Sequence, residues 1–474
     1  MKIVILGAGQ VGSTLAESLV SEQNDITIVD PQPARLRELQ DKLDLRTVVG
    51  SGAHPSTLVD AGLEDADMLI AVTSSDETNL VACKIAANLF NTPTKIARVR
   101  SRSILARPEL LADEGFAVDY AISPEDIVTE HITRLIEFPE ALQVLDFADG
   151  RVTLVAVRAV EGGPLVGHPL RDLRQHVPSV DARVTAIFRG DQAIIPDGDT
   201  VVRAGDEVFC IADTEHIRHV MRELRKMDKP VKRVMIAGGG NIGLRLARAL
   251  EGDYQVKVIE FGKARAEFIA TQVNSALVLH GDATDEELLE SENIGEMDLF
   301  LSLTNDDENN IMSALLAKRM GARRVVALIN RRSYADLMQG GQIDIAISPA
   351  QATIGKLLQH IRRGDVAAVH SLRRGAAEAL ELVAHGDEKT CKVIGKKVEE
   401  IQLPRGATIG ALVRRLAKPE GERVSNPVAA ERAEVIMAHH DTVIRPDDHV
   451  IMFVANKRMI PRIEKLFQVG FSFV

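Results

Sequence analysis

A chain of 474 residues with a net charge of −11, no Trp and only three Tyr lacks the basic surface and the stacking rings that nucleic-acid binding uses. The same acidity argues against an anionic membrane surface, and no apolar run reaches the ~18 residues that a bilayer span needs. Hydrophobic and charged contents of 45% and 26% fit a globular chain of about two to four domains. Cys83, Cys210 and Cys391 form no C-x-x-C and imply neither a disulfide framework nor a zinc site.

The chain opens on KIVILGAGQVG, residues 2–12. Ile3, Val4, Ile5 and Leu6 read as a buried parallel strand. A core strand at the N-terminus leaves no room for a leader, so the expected location is cytoplasmic. The candidate phosphate turn follows: Gly7, Ala8, Gly9, Gln10, Val11, Gly12. Gly7 permits the tight turn, Gly9 a close backbone approach to a pyrophosphate, and Gly12 the packing of the next helix. That helix's N-terminus favours phosphate through free N–H groups and its dipole. A lone G-x-G-x-x-G is a weak signal, compatible with three packing glycines. Here Asp30 ends the next apolar run, DITIVD, 18 residues beyond Gly12. An acid at that place takes the ribose hydroxyls of NAD and repels a 2′-phosphate.

Beyond Asp30 the spacing predicts a helix over 33–43, a strand over 46–49, a helix near 57–61 and a strand over 68–72. The loop Thr73-Ser74-Ser75-Asp76-Glu77-Thr78-Asn79 leads into a helix ending near Phe90. Thr73 and Ser74 fall at the carboxyl end of a parallel strand, the ligand face of open α/β sheets. Ser74 with Glu77 also reads as a capping box, as does Asn305 with Glu308. A strand over 96–99 carries Arg98, either a phosphate partner or half of a salt bridge. A last strand ends at Ile122. This alternation predicts a doubly wound parallel sheet. Ser123-Pro124-Glu125 starts a helix directed toward Glu137. From about residue 141 short strands and turns, including a strand pair over 193–202, predict a small α+β module.

At Lys232 the chain begins again. Gly238, Gly239, Gly240, Asn241, Ile242 and Gly243 repeat the turn, and Glu260 stands where Asp30 stood. The loop Thr304–Asn310 repeats the loop after 72, Ser348-Pro349 repeats Ser123-Pro124, and 441–450 echoes 199–208. One two-domain unit is used twice, with a period of about 230 residues. The copies differ. Asp282 aligns with Gly52, Leu328 with Arg98, and a polar insertion occupies 418–433. His216 with His219, and His439-His440-Asp441, read as solvated faces without a third metal ligand. The fold class is α/β: two doubly wound parallel-sheet (Rossmann) domains, each followed by a small α+β module. Neither module offers the acid/base and anion clamp that a dehydrogenase presents to nicotinamide. An NAD-dependent oxidoreductase on a duplicated scaffold, and a sensor for another transporter such as a potassium efflux system, are the alternatives to a nucleotide-biased conformational regulator.

GAGQVG at 7–12, Asp30, AVTSSDETN at 71–79, ARVRS at 97–101, the Ser123-Pro124 helix and HDTVIRPDDHVIMFV at 440–454 together resemble the TrkA family. These are NAD-binding regulators of bacterial potassium uptake, built from regulator-of-potassium-conductance (RCK) units. The resemblance covers nearly the whole chain. It implies nucleotide-binding RCK N-domains at 1–123 and 232–349 and TrkA-C domains at 142–226 and 368–455. It further implies that Gly7 to Val11, Asp30, Thr73, Ser74 and Arg98 hold NAD(H), with Gly238 to Ile242 and Glu260 as a second site. ATP and ADP are alternative ligands in the family. The implied partner is a membrane-embedded potassium-transporting Trk subunit, beneath which the chain forms a homo-oligomeric, tetrameric ring on the cytoplasmic face of the inner membrane. No catalysis is implied.

Overall fold

The computed structural model describes residues 1–20, 24–190, 192–225, 229–331, 334, 343–361, 366–372, 377–415 and 433–469. The 418–433 insertion therefore lies outside the described residues, apart from Ala433. The chain divides into two compact units, residues 1–130 with 232–360 and residues 131–231 with 361–474.

The first unit holds two parallel sheets. The first fold comprises β1 (Lys2–Leu6), α1 (Gln10–Val20), β2 (Asp25–Asp30), α2 (Pro33–Gln40), β3 (Arg46–Val49), α3 (Pro55–Asp60), β4 (Met68–Ala71), α4 (Asp76–Phe90), β5 (Thr94–Arg98), α5 (Arg102–Leu105), α6 (Pro108–Leu111) and β6 (Tyr120–Ile122). Strand order is β3-β2-β1-β4-β5-β6. The strand order reverses at β1, where β2 and β4 flank it in parallel, and this is where open α/β sheets take ligands. Leu6, Leu58, Leu69, Ala82, Cys83 and Ala97 belong to one buried cluster, so Cys83 is a small core residue. The connecting helix α7 (Pro124–Glu137) follows.

The second fold repeats the plan with β12 to β17, numbered after the five strands of the intervening module. It comprises β12 (Arg233–Ala237), α10 (Asn241–Leu250), β13 (Gln255–Glu260), α11 (Lys263–Ala270), β14 (Leu277–His280), α12 (Glu286–Ser291), β15 (Leu299–Ser302), α13 (Asp307–Arg319), β16 (Val325–Leu328) and β17 (Ile345–Ile347), with α14 (Pro349–Ile361) as connecting helix. The order β14-β13-β12-β15-β16-β17 matches the first sheet.

Backbone pairing corrects two details of the sequence reading. Gly50 N donates to Asp30 O and Gly281 N to Glu260 O, so Asp282 is the counterpart of Ser51, and Gly52 that of Ala283. Both Ser51 and Asp282 accept from a backbone N–H two residues on. The caps move by one residue. Ser75, not Ser74, accepts from Thr78 N at 3.1 Å and donates to Glu77 at 2.8 Å. Asp306, not Asn305, accepts from Asn309 N at 2.7 Å.

The second unit carries β7 (Ala141–Phe147), β8 (Val152–Arg158), α8 (Leu173–His176), β9 (Ala182–Arg189), β10 (Gln192–Ile194), β11 (Glu207–Asp213) and α9 (Ile217–Leu224), in sheet order β10-β9-β11-β8-β7. The predicted 193–202 pair is strand only to Ile194; Pro196 and Gly198 interrupt it, and Val201 makes a lone bridge with Pro169. The later copy holds β18 (Val366–Leu372), β19 (Ala377–Val383), β20 (Ala407–Arg415), β21 (Ala433–Met437), β22 (His449–Val454) and α15 (Ile460–Phe467). The two antiparallel sheets share one core, in which Leu154, Phe188 and Phe209 meet Leu372, Val413 and Phe453. Gly410 of β20 approaches Thr185 and Ile211 so closely that a Cβ would lie 3.0 Å from Thr185 Cγ2. No helix among the described residues is long and apolar enough to cross a membrane.

Candidate nucleotide sites

Of the three glycines that each G-x-G-x-x-G pattern specifies, two are fixed by the protein itself. Gly7 has φ +102°, and a Cβ on Gly12 would lie 1.9 Å from Gly7 O. Gly238, at φ +103°, and Gly243, where a Cβ would lie 1.9 Å from Gly238 O, repeat this geometry. The middle positions differ in kind. A Cβ on Gly9 or Gly240 would meet nothing within 4 Å. Nothing internal requires glycine there, whereas a phosphate seated on the turn would, since it needs the bare backbone.

The two strand-end carboxylates stand over these turns in the same way. Asp30 Oδ2 accepts from Ala8 N and Oδ1 from Gln32 N, each at 2.8 Å. Glu260 Oε2 accepts from Gly239 N and Oε1 from Gly262 N, each at 2.8 Å. Each oxygen keeps lone-pair capacity for a ribose hydroxyl. The longer Glu260 side chain has a consequence at the turn. A Cβ on Gly239 would fall 3.1 Å from Glu260 Oε2 and 2.0 Å from Ile269 Cδ1, so a methyl in the place of Ala8 would require the Ile269 side chain to move.

Thr73 and Ser74 sit where the loop reading put them, but Thr73 is committed internally. Its hydroxyl donates to Asn79 Oδ1 at 2.7 Å, while Asn79 Nδ2 donates to Arg98 O at 2.9 Å. Thr304, Asn310 and Leu328 O form the same brace, at 2.7 and 2.8 Å. This confirms that Leu328 occupies the place of Arg98. Asp76 and Asp307 brace the next residues. Asp76 Oδ2 accepts from Arg100 N and Ser101 N, and Asp307 from Asn330 N and Arg331 N. Sequence reasoning passed over Asn79 and Asp76. Their signal was recurrence, since both types stand at the same place in the 73–79 and 304–310 loops.

Arg98 Nη2 lies 3.6 Å from Glu125 Oε1. Burial lowers the guanidinium's pKa, and Glu125 opposes that shift. Arg98 Nε and Glu125 Oε2 have no hydrogen-bond partner among the described residues. The pair is a salt bridge with donor and acceptor capacity left over. In the second fold both members change together, to buried Leu328 and Ala350.

A cleft of roughly 530 Å³ adjoins the first site, lined by Ser74, Ser75, Asp76, Glu77, Arg100, Ser101, Asn241 and Arg245. Two of its residues come from the second fold's phosphate turn and helix. Arg245, only 8% exposed, donates through Nη1 to Ser123 Oγ at 3.0 Å and Asp126 Oδ1 at 2.5 Å, and through Nη2 to Arg100 O at 2.7 Å. His216, His219, His439 and His440 are exposed. Among the described residues no group of three or more His, Cys, Asp or Glu is arranged to hold a metal.

The TrkA-N domain family matches residues 3–124 and again 234–349, and the TrkA-C domain family matches 154–225. A Trk system potassium uptake protein TrkA of Halomonas elongata is 57% identical over 473 residues, covering 100% of both chains. The chain belongs to the TrkA family. Other TrkA proteins, from Vibrio alginolyticus and Haemophilus influenzae, are 56% and 49% identical, covering 99% and 100% of each chain. The GsuK RCK domain aligns with a TM-score of 0.59 over 98% of this chain and 94% of its own, at 18% identity. The GsuK channel bound to NAD aligns with a TM-score of 0.58 over 98% and 78%. These structural alignments show a shared fold.

Proposed function

We propose that this TrkA-family chain is a non-enzymatic regulatory subunit whose nucleotide occupancy gates a membrane-embedded Trk potassium transporter. The observation that carries this reading is the pair of turns with an open middle glycine, each facing a carboxylate braced by two backbone N–H groups. NAD(H) fits both. Gly7 to Gly12 would take the pyrophosphate of the first, Asp30 its ribose, and Ser74 and Arg98 its far end. Gly238 to Gly243 and Glu260 would hold a second nucleotide. ATP or ADP would use the same phosphate turns. The division into nucleotide-binding domains at 1–123 and 232–349 and small domains at 142–226 and 368–455 belongs to the same reading. So does a homo-oligomeric ring, tetrameric, held at the inner membrane through its partner. A useful bias between transporter states needs a differential affinity of about 1–3 kcal/mol.

The test is potassium flux in vesicles carrying the Trk membrane subunit, with the purified chain and NADH or ATP added in turn. Nucleotide-dependent flux is expected. A chain that binds neither nucleotide, or leaves flux unchanged while bound, removes the proposal. Turnover of NADH with a small substrate would replace it by an enzyme.

A further inference from the structure

We infer that Arg245, a residue of the second fold, is a positioning residue for the first nucleotide site, so that the first site is held in shape from the other half of the chain. The inference rests on the nucleotide reading above for its ligand, but its geometry stands alone. Arg245 grips two segments that converge on the first site. Its bond to Arg100 O fixes the end of β5 two residues beyond Arg98. Its bonds to Ser123 and Asp126 fix the start of α7, where Glu125 lies between them. Glu125 is the ion-pair partner of Arg98. Arg100 in turn donates through Nη2 to Ser74 O. One guanidinium thus sets the spacing between Arg98 and Glu125 and, through Arg100, the place of Ser74. A planar guanidinium holds its donors in a fixed fork that spans three separated acceptors, whereas a lysine offers three donors from one compact, rotatable ammonium.

Among the described residues the arrangement occurs at one junction only. The residue equivalent to Arg245 in the first fold is Thr14, whose hydroxyl donates to Gln10 O of its own helix at 2.8 Å. The second fold has no arginine–glutamate pair to be held, since Leu328 and Ala350 stand there. Arg245 also follows the second phosphate turn directly, on α10. A ligand that moves this helix therefore pulls on Arg245, and through it on the first site.

Calorimetric titration of the full chain with NADH tests this, using Glu260→Ala to leave the first site and Asp30→Ala to leave the second. Arg245→Gln should weaken the first site by about 5–20-fold and leave the second within about twofold. Arg245→Lys should recover part of the loss. Asp126→Asn should weaken the first site in the same direction and add little to Arg245→Gln. Equal weakening of both sites, or a first site unchanged, overturns the inference. Amide hydrogen exchange gives a ligand-free readout. Arg245→Gln should speed exchange at Arg100 and Ser101 and spare Asn330 and Arg331. Absence of that contrast overturns it as well. If instead neither site of the parent chain binds NADH or ATP while the exchange contrast appears, the nucleotide reading fails and the positioning role of Arg245 survives.

Discussion

The two nucleotide folds solve one problem with two sets of residues. The first sets Asp30 against Ala8, and the second sets Glu260 against Gly239. The extra methylene of glutamate and the side chain of Ile269 occupy the space that the Ala8 methyl fills in the first fold. A second exchange follows the same rule. Leu6 leaves no room beside it, and a Cβ on Gly52 would lie 2.6 Å from Leu6 Cδ1. Ala237, in the place of Leu6, is smaller, and Ala283 stands in the place of Gly52. A third removes a charge and its partner together, Arg98 with Glu125 giving way to Leu328 with Ala350. The lesson is that each fold keeps the carboxylate's two backbone hydrogen bonds and lets the surrounding volume and charge adjust. A substitution moved singly from one fold to the other should therefore cost stability that the paired substitution does not.

The largest effect is expected at the buried ion pair. Arg98→Leu leaves Glu125 without its counter-ion and should lower stability by about 2–3 kcal/mol. Arg98→Leu with Glu125→Ala, which copies the second fold, should recover most of that in denaturant midpoints. If the double variant is no better than the single, the two folds do not vary by pairs. Next, Asp30→Ala should weaken NADH at the first site by about 10–100-fold, or ~1.4–2.8 kcal/mol, and leave the second site intact on calorimetry. A parallel loss at both would merge what the comparison separates. Gly239→Ala should then destabilise by about 1–2 kcal/mol through overpacking, with relief from Ile269→Val. Ala8→Gly should stay within about 1 kcal/mol. Equal costs would show that the turn tolerates either residue beside either acid.

The last effect is conditional on pH and concerns the connecting helices. Burial pushes the His131 ring down to a pKa of about 4, whereas its counterpart in α14 is exposed Lys356. An unfolded histidine titrates near 6.5, so below that pH the unfolded chain takes up the proton first. His131 should thus cost no stability above about pH 6.5 and an increasing amount as the pH falls toward 4. Thermal midpoints should drop by about a few degrees over that window. His131→Gln should flatten the dependence, and an unchanged slope would exclude His131 as its source.

Much of this was legible in the chain, because strand hydrophobicity, turn glycines and a strand-end acid are local patterns, and each appeared twice. What escaped was long-range. Asn79 and Asp76 look like loop polars until folding places the Arg98 carbonyl and the Arg100 amide against them. The helix cap fell one residue late because Ser74 and Ser75 are chemically equal, and only the backbone decides which is extended. The sequence alone does not set the register between 50–52 and 281–283; strand pairing makes Asp282 the counterpart of Ser51. Arg245 gave no signal at all. Its partners lie more than a hundred residues away, in the half of the chain to which it does not belong.

The shared core of the two small sheets has a consequence of another kind. Phe188 and Phe209 from one copy pack with Phe453 from the other, so each copy supplies a wall that the other lacks. Two identical separate chains could build such a core, but every change would then be written on both sides of it. Covalent linkage frees the halves from that symmetry. One junction can carry an arginine while its counterpart carries a threonine, and the two pockets can be lined by different residues. A fused pair can thus give two unequal answers to the same metabolite pool.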